Sequence, residues 1–294
     1  VSDSLIDKLL LVIADIHGGH TLGLLAPGTV LWQQDSFDDE PVPWIPSLNP
    51  LQVKLWDWFR WDLDWVVKLA AGRPIIVKIN GDITQGLKYV REWVSVRPSD
   101  QIEIAVRVLS VPLMMPNVQQ MDFVTGTLSH EQDQASPILA RRILQAETGK
   151  PIGLSNHYLT TINETTFDLA HHGPIPGSRR WLEGNSLRWY TNDLQQRELD
   201  LGNTPSHWVI RSHYHTFARS ASDYRKGTTH YRTESLLTPG FTGMDGYARQ
   251  ATRSKFEVHV GMVAWEIPAK GVAGSESLKH KLHILDTRRR EVIE

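Results

Sequence analysis

An apolar run from Leu9 to Ala14 stops abruptly at Asp15 and is followed by one spacer, His17 and the pair Gly18–Gly19. A run of strand length that is apolar throughout and closed by a turn signal reads as a strand buried on both faces. Such a strand needs a covering layer on each side, which constrains the chain to a layered fold. Asp15 and His17, both able to bind metal, then sit at the C-terminal mouth of the strand, where open α/β sheets hold ligands. This mouth reads as one half of a two-metal site. A single Asp-x-His on a loop carries little weight, so the rest of the chain must supply the complement.

Along the chain, His20 to Pro50 forms a long connection with five prolines and the acidic run Asp35 to Glu40, and Trp32, Phe37 and Trp44 mark it as packed rather than disordered. Leu51 to Ala71 has the spacing of a helix, stopped by Gly72 and Pro74. Its Trp56, Trp58, Trp61 and Trp65 are expected to pack against the sheet or a second subunit. Pro74 to Ile79 is a second buried strand, ending in Asn80, Gly81 and Asp82. Asp100 and Glu103 suggest a capping box opening a helix to Val111. Met121 to Gly126 is a third strand, and Ser136 with Pro137 opens a helix closed by Gly149. His157 to Ile162 and Thr165 to Ala170 suggest a hairpin about Asn163–Glu164, ending in His171, His172 and Gly173. A polar helix is expected from Ser186 to Leu201. Trp208 to Ser212 is a short strand before His213 and His215, and further strands are expected at Tyr231 to Leu237, Phe256 to Ile267 and Lys281 to Leu285. Strands alternating with helices give an α/β fold. The chain reads as one domain over 1–294, with a Trp/Pro-rich insertion at about 20–71 and a β-rich C-terminal extension at about 216–294.

Composition narrows the function. With 40% hydrophobic and 22% charged residues, the 294-residue chain is ordinary globular material. A formal net charge of −2 lacks the basic footprint of a constitutive nucleic-acid binder. The absence of cysteine excludes thiolate zinc sites, disulfides and a cysteine nucleophile. No apolar run approaches the roughly 18 residues of a membrane span. Leu9 to Ala14 is too short for a signal peptide, so the cytoplasm is the expected compartment.

Five apolar strands thus end in residues that bind metals or move protons: Asp15 and His17, Asp82, His130, His171 and His172, and His213 and His215. Imidazole and carboxylate together suit zinc, manganese, iron or nickel better than calcium or magnesium.

Read as Asp15-x-His17, Gly81-Asp82, Gly126-Thr127-x-x-His130-Glu131, His171-His172-Gly173 and Ser212-His213-x-His215, the chain resembles the calcineurin-like metallophosphoesterases. The resemblance spans about Leu9 to His215. The segments ADIHGGHTLGL, AHHGP and IRSHYH are most similar to uncharacterised phage and prophage members, whose compartment would be the host cytoplasm. It implies a β-sandwich of two mixed sheets flanked by helices, holding two divalent ions, with manganese favoured over zinc, iron or nickel. By position, Asp15, His17 and His215 would hold the first metal, Asp82 would bridge both, and His213 would hold the second together with His171 or His172, of which His171 is favoured. His130 would be the acid or transition-state donor, with Asp82 at the reacting centre.

Two positions depart from the family pattern. No Asn precedes His130, so Thr127, Ser129 or water must complete the second metal site, and Ser212 replaces a glycine. Arg179, Arg180, Arg188 and Arg211 lie near the fourth and fifth motifs, either as phosphate ligands or as surface and acid-paired arginines, with Arg179 and Arg180 the better candidates for substrate. His172 and His20 are further candidates on the substrate side. Asp168 either orients a ligand histidine or pairs elsewhere.

The resemblance implies a phosphodiesterase or nuclease-type hydrolase that uses a metal-bridging hydroxide on a nucleotide, a nucleic-acid end or a small ester. The alternatives are a non-catalytic binding or assembly protein that retains the fold, and a phosphomonoesterase. The Trp-rich face leaves a homo-oligomer open, and no membrane partner is expected.

Overall fold

In the computed structural model, which describes residues 6–34, 38–88, 92–177, 182–244, 246, 256–271 and 276–288, the opening apolar run is strand β1 (Ile6–Ile13). Its side chains alternate between two cores, as the strand period of two demands. Leu9, Leu11 and Ile13 enter one, and Leu10 and Val12 enter the other. That alternation stacks the rest of the molecule.

β1 lies inside a six-stranded mixed sheet. On one side it runs parallel to β4 (Ile75–Asn80), followed by β5 (Val118–Val124) and β6 (Ile152–Ser155). On the other side it pairs antiparallel with β12 (Glu257–Pro268), which pairs with β13 (Ser277–Asp286). The crossover helices α1 (Pro50–Ala70), α2 (Pro98–Leu113) and α3 (Ala135–Thr148) cover one face. Leu55, Phe59 and Val66 of α1, Ala105 and Leu109 of α2, and Ala140 and Leu144 of α3 meet the sheet residues Leu11, Val77 and Phe123 there.

The second sheet is also mixed and has five strands in the order β10 (Ala218–Lys226), β11 (Thr229–Leu237), β9 (Trp208–Arg211), β8 (Thr165–Ala170) and β7 (His157–Ile162). Phe167, Leu169, Trp208, Ile210 and Leu236 from this sheet pack against Leu10, Val12, Val263 and Trp265 from the first. Helix α4 (Asn185–Asp200) lies on β10 and β11, with Leu187 against Ala218 and Leu237. The described residues thus form four layers, helices outside and two sheets inside. Between β1 and α1, a small hairpin of β2 (Leu31–Gln33) and β3 (Val42–Trp44) has its own apolar cluster of Leu25, Leu31 and Ile104. Among the described residues no helix is long and apolar enough to cross a membrane.

At two helix starts the cap expected from sequence does not form. α2 begins at Pro98 behind Arg97, and the expected Asp100–Glu103 capping box does not form. Proline at the first position, with its φ already helical, sets the start instead, and Asp100 accepts a hydrogen bond from the Ser95 hydroxyl at 2.6 Å. α3 begins at Ala135 because Gln132, Asp133 and Gln134 all take left-handed φ values, of 51°, 55° and 73°. Ser136 is therefore inside the first turn and not a cap. β6 and β10 are additional strands; β10 is polar because it is an edge strand covered on one side by α4. The α1 tryptophans divide: Trp58 stacks on His283 at 4.4 Å, Lys281 lies over Trp65, and Trp61 stays 62% exposed.

One buried ion pair pins the sheets together. Lys78 on β4 meets its register partner Asp122 on β5 at 2.6 Å, and both are 2% exposed. Thr160 accepts from the Lys78 ammonium at 3.2 Å and the Tyr158 ring faces it, both from β7 of the other sheet. Removing one member of a buried pair leaves an uncompensated charge. Lys78→Met is therefore expected to cost about 3–5 kcal/mol, read from the denaturant midpoint, with Lys78→Met/Asp122→Leu regaining most of the loss. Equal losses in the single and double variants would show that the charge is not what the pair compensates.

Candidate metal centre

The C-terminal ends of β1, β4 and β5 from one sheet and of β8 and β9 from the other open on the same side, and their loops are laced together by main-chain hydrogen bonds. The Asp15 amide donates to Gly81, His17 to Asp82 and Gly18 to Ile83, which prolongs the β1–β4 pairing past the strands. Ser212 donates to His171 and Phe241 to Asp15. Within this lacing Asp15, His17, Asp82, His213 and His215 all take left-handed φ values, between 43° and 75°. Each such non-glycine residue costs of order 1 kcal/mol or more and persists only where its surroundings enforce it. Two glycines are needed for the close approach. A Cβ on Gly126 would stand 2.2 Å from the Asp82 amide nitrogen, and one on Gly81, at φ 86°, would stand 2.2 Å from the His171 ring.

The side chains converge. His171 Nε2 lies 3.0 Å from Asp82 Oδ2 and 3.9 Å from Asp15 Oδ1. His215 Nε2 lies 3.4 Å from Asp15 Oδ1 and 3.3 Å from His17 Nε2. Asp82 Oδ2 is 3.9 Å from His17 Nε2 and 3.8 Å from His213 Nδ1. Donor atoms around a tetrahedral metal at about 2.1 Å stand about 3.4 Å apart, and these separations bracket that value. Asp15 Oδ1 and His171 Nε2 are buried without a hydrogen-bond partner. Facing lone pairs of this kind need a proton or a cation between them. The donor set and these unsatisfied atoms fit divalent metal ions, with Asp82 common to both halves of the group.

The second ring nitrogens are committed. His171 Nδ1 donates to the Asn80 carbonyl at 2.7 Å, His17 Nδ1 to Gln85 Oε1 at 2.9 Å and His130 Nδ1 to the Gln85 carbonyl at 2.7 Å. Such partners fix the tautomer of a metal-binding histidine and turn its Nε2 lone pair inward.

The charges hold one another. Burial disfavours ionisation of both Asp82 and His171, but their proximity outweighs it. The Asp82 carboxyl falls well below its ordinary value, and the carboxylates of Asp82 and Asp15 push the His171 imidazole up to about 10. Burial, with His130 next, holds His17 well below the ordinary imidazole value. His172 is lowered by burial and then by His171 and His213.

The structure places the other residues singled out from sequence as follows. Thr127 joins the group: its amide donates to Asp82 Oδ1 at 2.6 Å, and its hydroxyl lies 3.1 Å from Asp82 Oδ2 and 3.3 Å from both His172 Nε2 and His213 Nδ1. Among the described contacts, no hydrogen bond brings the Ser129 hydroxyl to it. His20 stays outside the group, accepting from the Leu22 amide at 2.9 Å and facing Glu92. Arg179 and Arg180 lie outside the described residues. Arg211 is 1% exposed and bound to Asp168 at 2.7 Å and to the Tyr190 hydroxyl, which commits it to the acid-paired role. Asp168 also pairs with His157.

Three supporting residues carry roles that the sequence reading did not assign. Gln85 and Asn80 fix the tautomers, and Asn80 also donates to the Ser212 hydroxyl, tying the two sheets together. Glu131 is fully buried and accepts from the amides of Gly126, at 2.6 Å, and Ile83. Asn80 adjoins the motif residue Gly81 and Glu131 stands inside the third motif beside His130, and that placement is their one signal in the sequence; Gln85 lacks even that.

No protein-family model matches this chain, and no curated protein does. Among solved structures it is similar to the protein of unknown function AQ665 from Aquifex aeolicus, with 10% identity and a TM-score of 0.31 over 70% of this chain and 79% of that one. A likeness at that score carries no argument about fold or function.

Burial, reinforced by Asp82, raises the Glu131 carboxyl from 4.5 to about 8. The folded state therefore holds this proton more tightly than the unfolded chain. The stability it contributes is full below about pH 4.5 and is lost as pH rises through about 8. In metal-stripped protein, Glu131→Gln is expected to gain roughly 2 kcal/mol or more relative to wild type across that window, measured by denaturant unfolding at successive pH values. A difference that does not change with pH would show that Glu131 is not a buried protonated acid.

Proposed function

We propose that this chain is a two-metal phosphoesterase with the calcineurin-like β-sandwich, acting on phosphodiesters. The reading is carried by one observation: Asp15, His17, Asp82, His171, His213 and His215, drawn from both sheets, bring their donor atoms within 3.0–3.9 Å of neighbours, with two of those atoms buried and unpartnered. Asp15, His17, Asp82 and His215 would hold one ion, and Asp82, His171 and His213 a second. Divalent ions bound there supply a nucleophile at neutral pH and neutralise charge on the phosphoryl oxygens during in-line displacement.

The chain's own residues do the rest. Thr127 holds the Asp82 carboxylate through its amide and hydroxyl, with Asp82 Oδ2 turned toward His17 of one half and toward His171 and His213 of the other. Gln85 and Asn80 hold the Nδ1 atoms of His17 and His171 and so turn their Nε2 atoms toward the ion, which would displace the proton there on binding. His130 packs edge-on against His17 with ring centroids 4.9 Å apart. With Nδ1–H held by the Gln85 carbonyl, its mobile proton is the one on Nε2, which it donates to the departing oxygen. Arg211 is committed to Asp168, so this guanidinium adds no charge for a phosphate dianion. That favours the single negative charge of a diester.

Wild type is expected to hydrolyse bis-p-nitrophenyl phosphate with manganese, and Asp82→Asn to lose bound metal and activity together. His130→Ala is expected to keep its metal and to lose about 10²–10⁴-fold in rate, chiefly on substrates with poor leaving groups. Equal activity in wild type and Asp82→Asn would overturn the enzyme reading. Loss of metal from His130→Ala would overturn the role given to His130.

A further inference from the structure

We infer that His172 is the ligand that completes the second metal site, giving that site three imidazoles and one carboxylate and a preference for zinc-like ions over manganese. The inference rests on the two-metal reading and concerns the place where the family pattern lacks its Asn. Ligand atoms of His171, His172 and His213 all lie within 4.8 Å of one another. The rings form a closed trio, with centroids 4.9 Å apart for His171–His172, 5.3 Å for His171–His213 and 4.8 Å for His172–His213. Asp82 adds the carboxylate, 3.0 Å from His171 and 3.8 Å from His213.

Thr127 is the competing candidate, since its hydroxyl is 3.3 Å from both His172 Nε2 and His213 Nδ1. Its amide and hydroxyl, however, are both aimed at Asp82, at 2.6 and 3.1 Å. That makes Thr127 the residue that orients the shared carboxylate. A neutral hydroxyl is also a poorer donor than an imidazole for a borderline metal. The two halves then differ in chemistry. Asp15, His17, Asp82 and His215 offer two carboxylates and two imidazoles. The half completed by His172 is richer in nitrogen. Imidazole suits zinc, whereas carboxylate suits manganese, and zinc stands above manganese in intrinsic affinity for such ligands.

Metal-stripped full-length protein would be given one equivalent of zinc and excess manganese, desalted, and its metals counted by elemental analysis. Wild type is expected to retain two metals, one of them zinc. His172→Ala is expected to keep its manganese and to bind zinc roughly tenfold more weakly or worse, while Thr127→Val retains zinc. His172 lies at the rim of the site, so its replacement does not open the core. Cobalt substitution gives a second readout, because the visible absorption of the second site changes in His172→Ala if the imidazole is a ligand. Unchanged zinc affinity and an unchanged cobalt spectrum would overturn the assignment while leaving two metals in place. Loss of zinc from Thr127→Val, with zinc retained and the cobalt spectrum unchanged in His172→Ala, would overturn it in favour of the hydroxyl. Wild type that binds no more metal than Asp82→Asn would overturn the two-metal reading itself, and this inference with it.

Discussion

A carboxylate held away from water in a cluster of imidazoles is the constraint on which the rest of this molecule depends. Asp82 is 1% exposed, and an ion so placed costs several kcal/mol unless hydrogen bonds and opposite charge offset it. The Thr127 amide and hydroxyl and the His171 ring provide that compensation. Asp82, Thr127 and His171 follow three different strands, β4, β5 and β8, so all three loops must reach one point. Reaching it forces five non-glycine residues into left-handed backbone. At about 1 kcal/mol or more apiece, the sum rivals the net stability of a typical domain, about 5–15 kcal/mol. Two apolar cores and the main-chain lacing between loops have to offset it.

The four-layer stack explains why the arrangement is affordable. The facing sides of the two sheets share one core and the helices close a second over the first sheet, so the central strands are fixed laterally. Beneath the site, Asn80 links β4 to the Ser212 hydroxyl, which in turn meets Thr238 at 2.7 Å. The Arg211–Asp168–His157 chain ties β9, β8 and β7 to one another within the second sheet. Polar contacts between sheets set the register of the two halves, while the apolar clusters supply the bulk of the stabilisation.

Much of this is legible in the residues. β1 and β4 are apolar runs with abrupt polar ends, and β7 with β8 brackets an Asn163–Glu164 turn, so period and punctuation both speak for them. The residues at the strand ends were legible for the same reason, because a buried strand leaves few polar positions except at its mouth. The illegible parts depend on contacts across the chain. Gln85 and Glu131 have no periodic signature, and their importance appears only once Gln85 meets His17 and His130 and Glu131 meets the amides of Gly126 and Ile83. The starts of α2 and α3 misled for a local reason. A Ser or Asp three residues before Glu or beside Pro signals a cap, but Pro98 and the left-handed run at Gln132 to Gln134 set the geometry first.

The position of β12 has a consequence for how the chain comes off the ribosome. β1 pairs with residues more than two hundred positions later, Leu9 opposite Glu266 and Leu11 opposite Ala264. Until that late segment has been synthesised, one edge of the strand carrying Asp15 stays unpaired, and the inter-sheet core lacks Val263, Trp265 and Ile267. Such distant pairing is slow and leaves an exposed edge while it is awaited. Asp15 is therefore made long before its strand is paired on both edges, so the cluster closes only when β12 arrives.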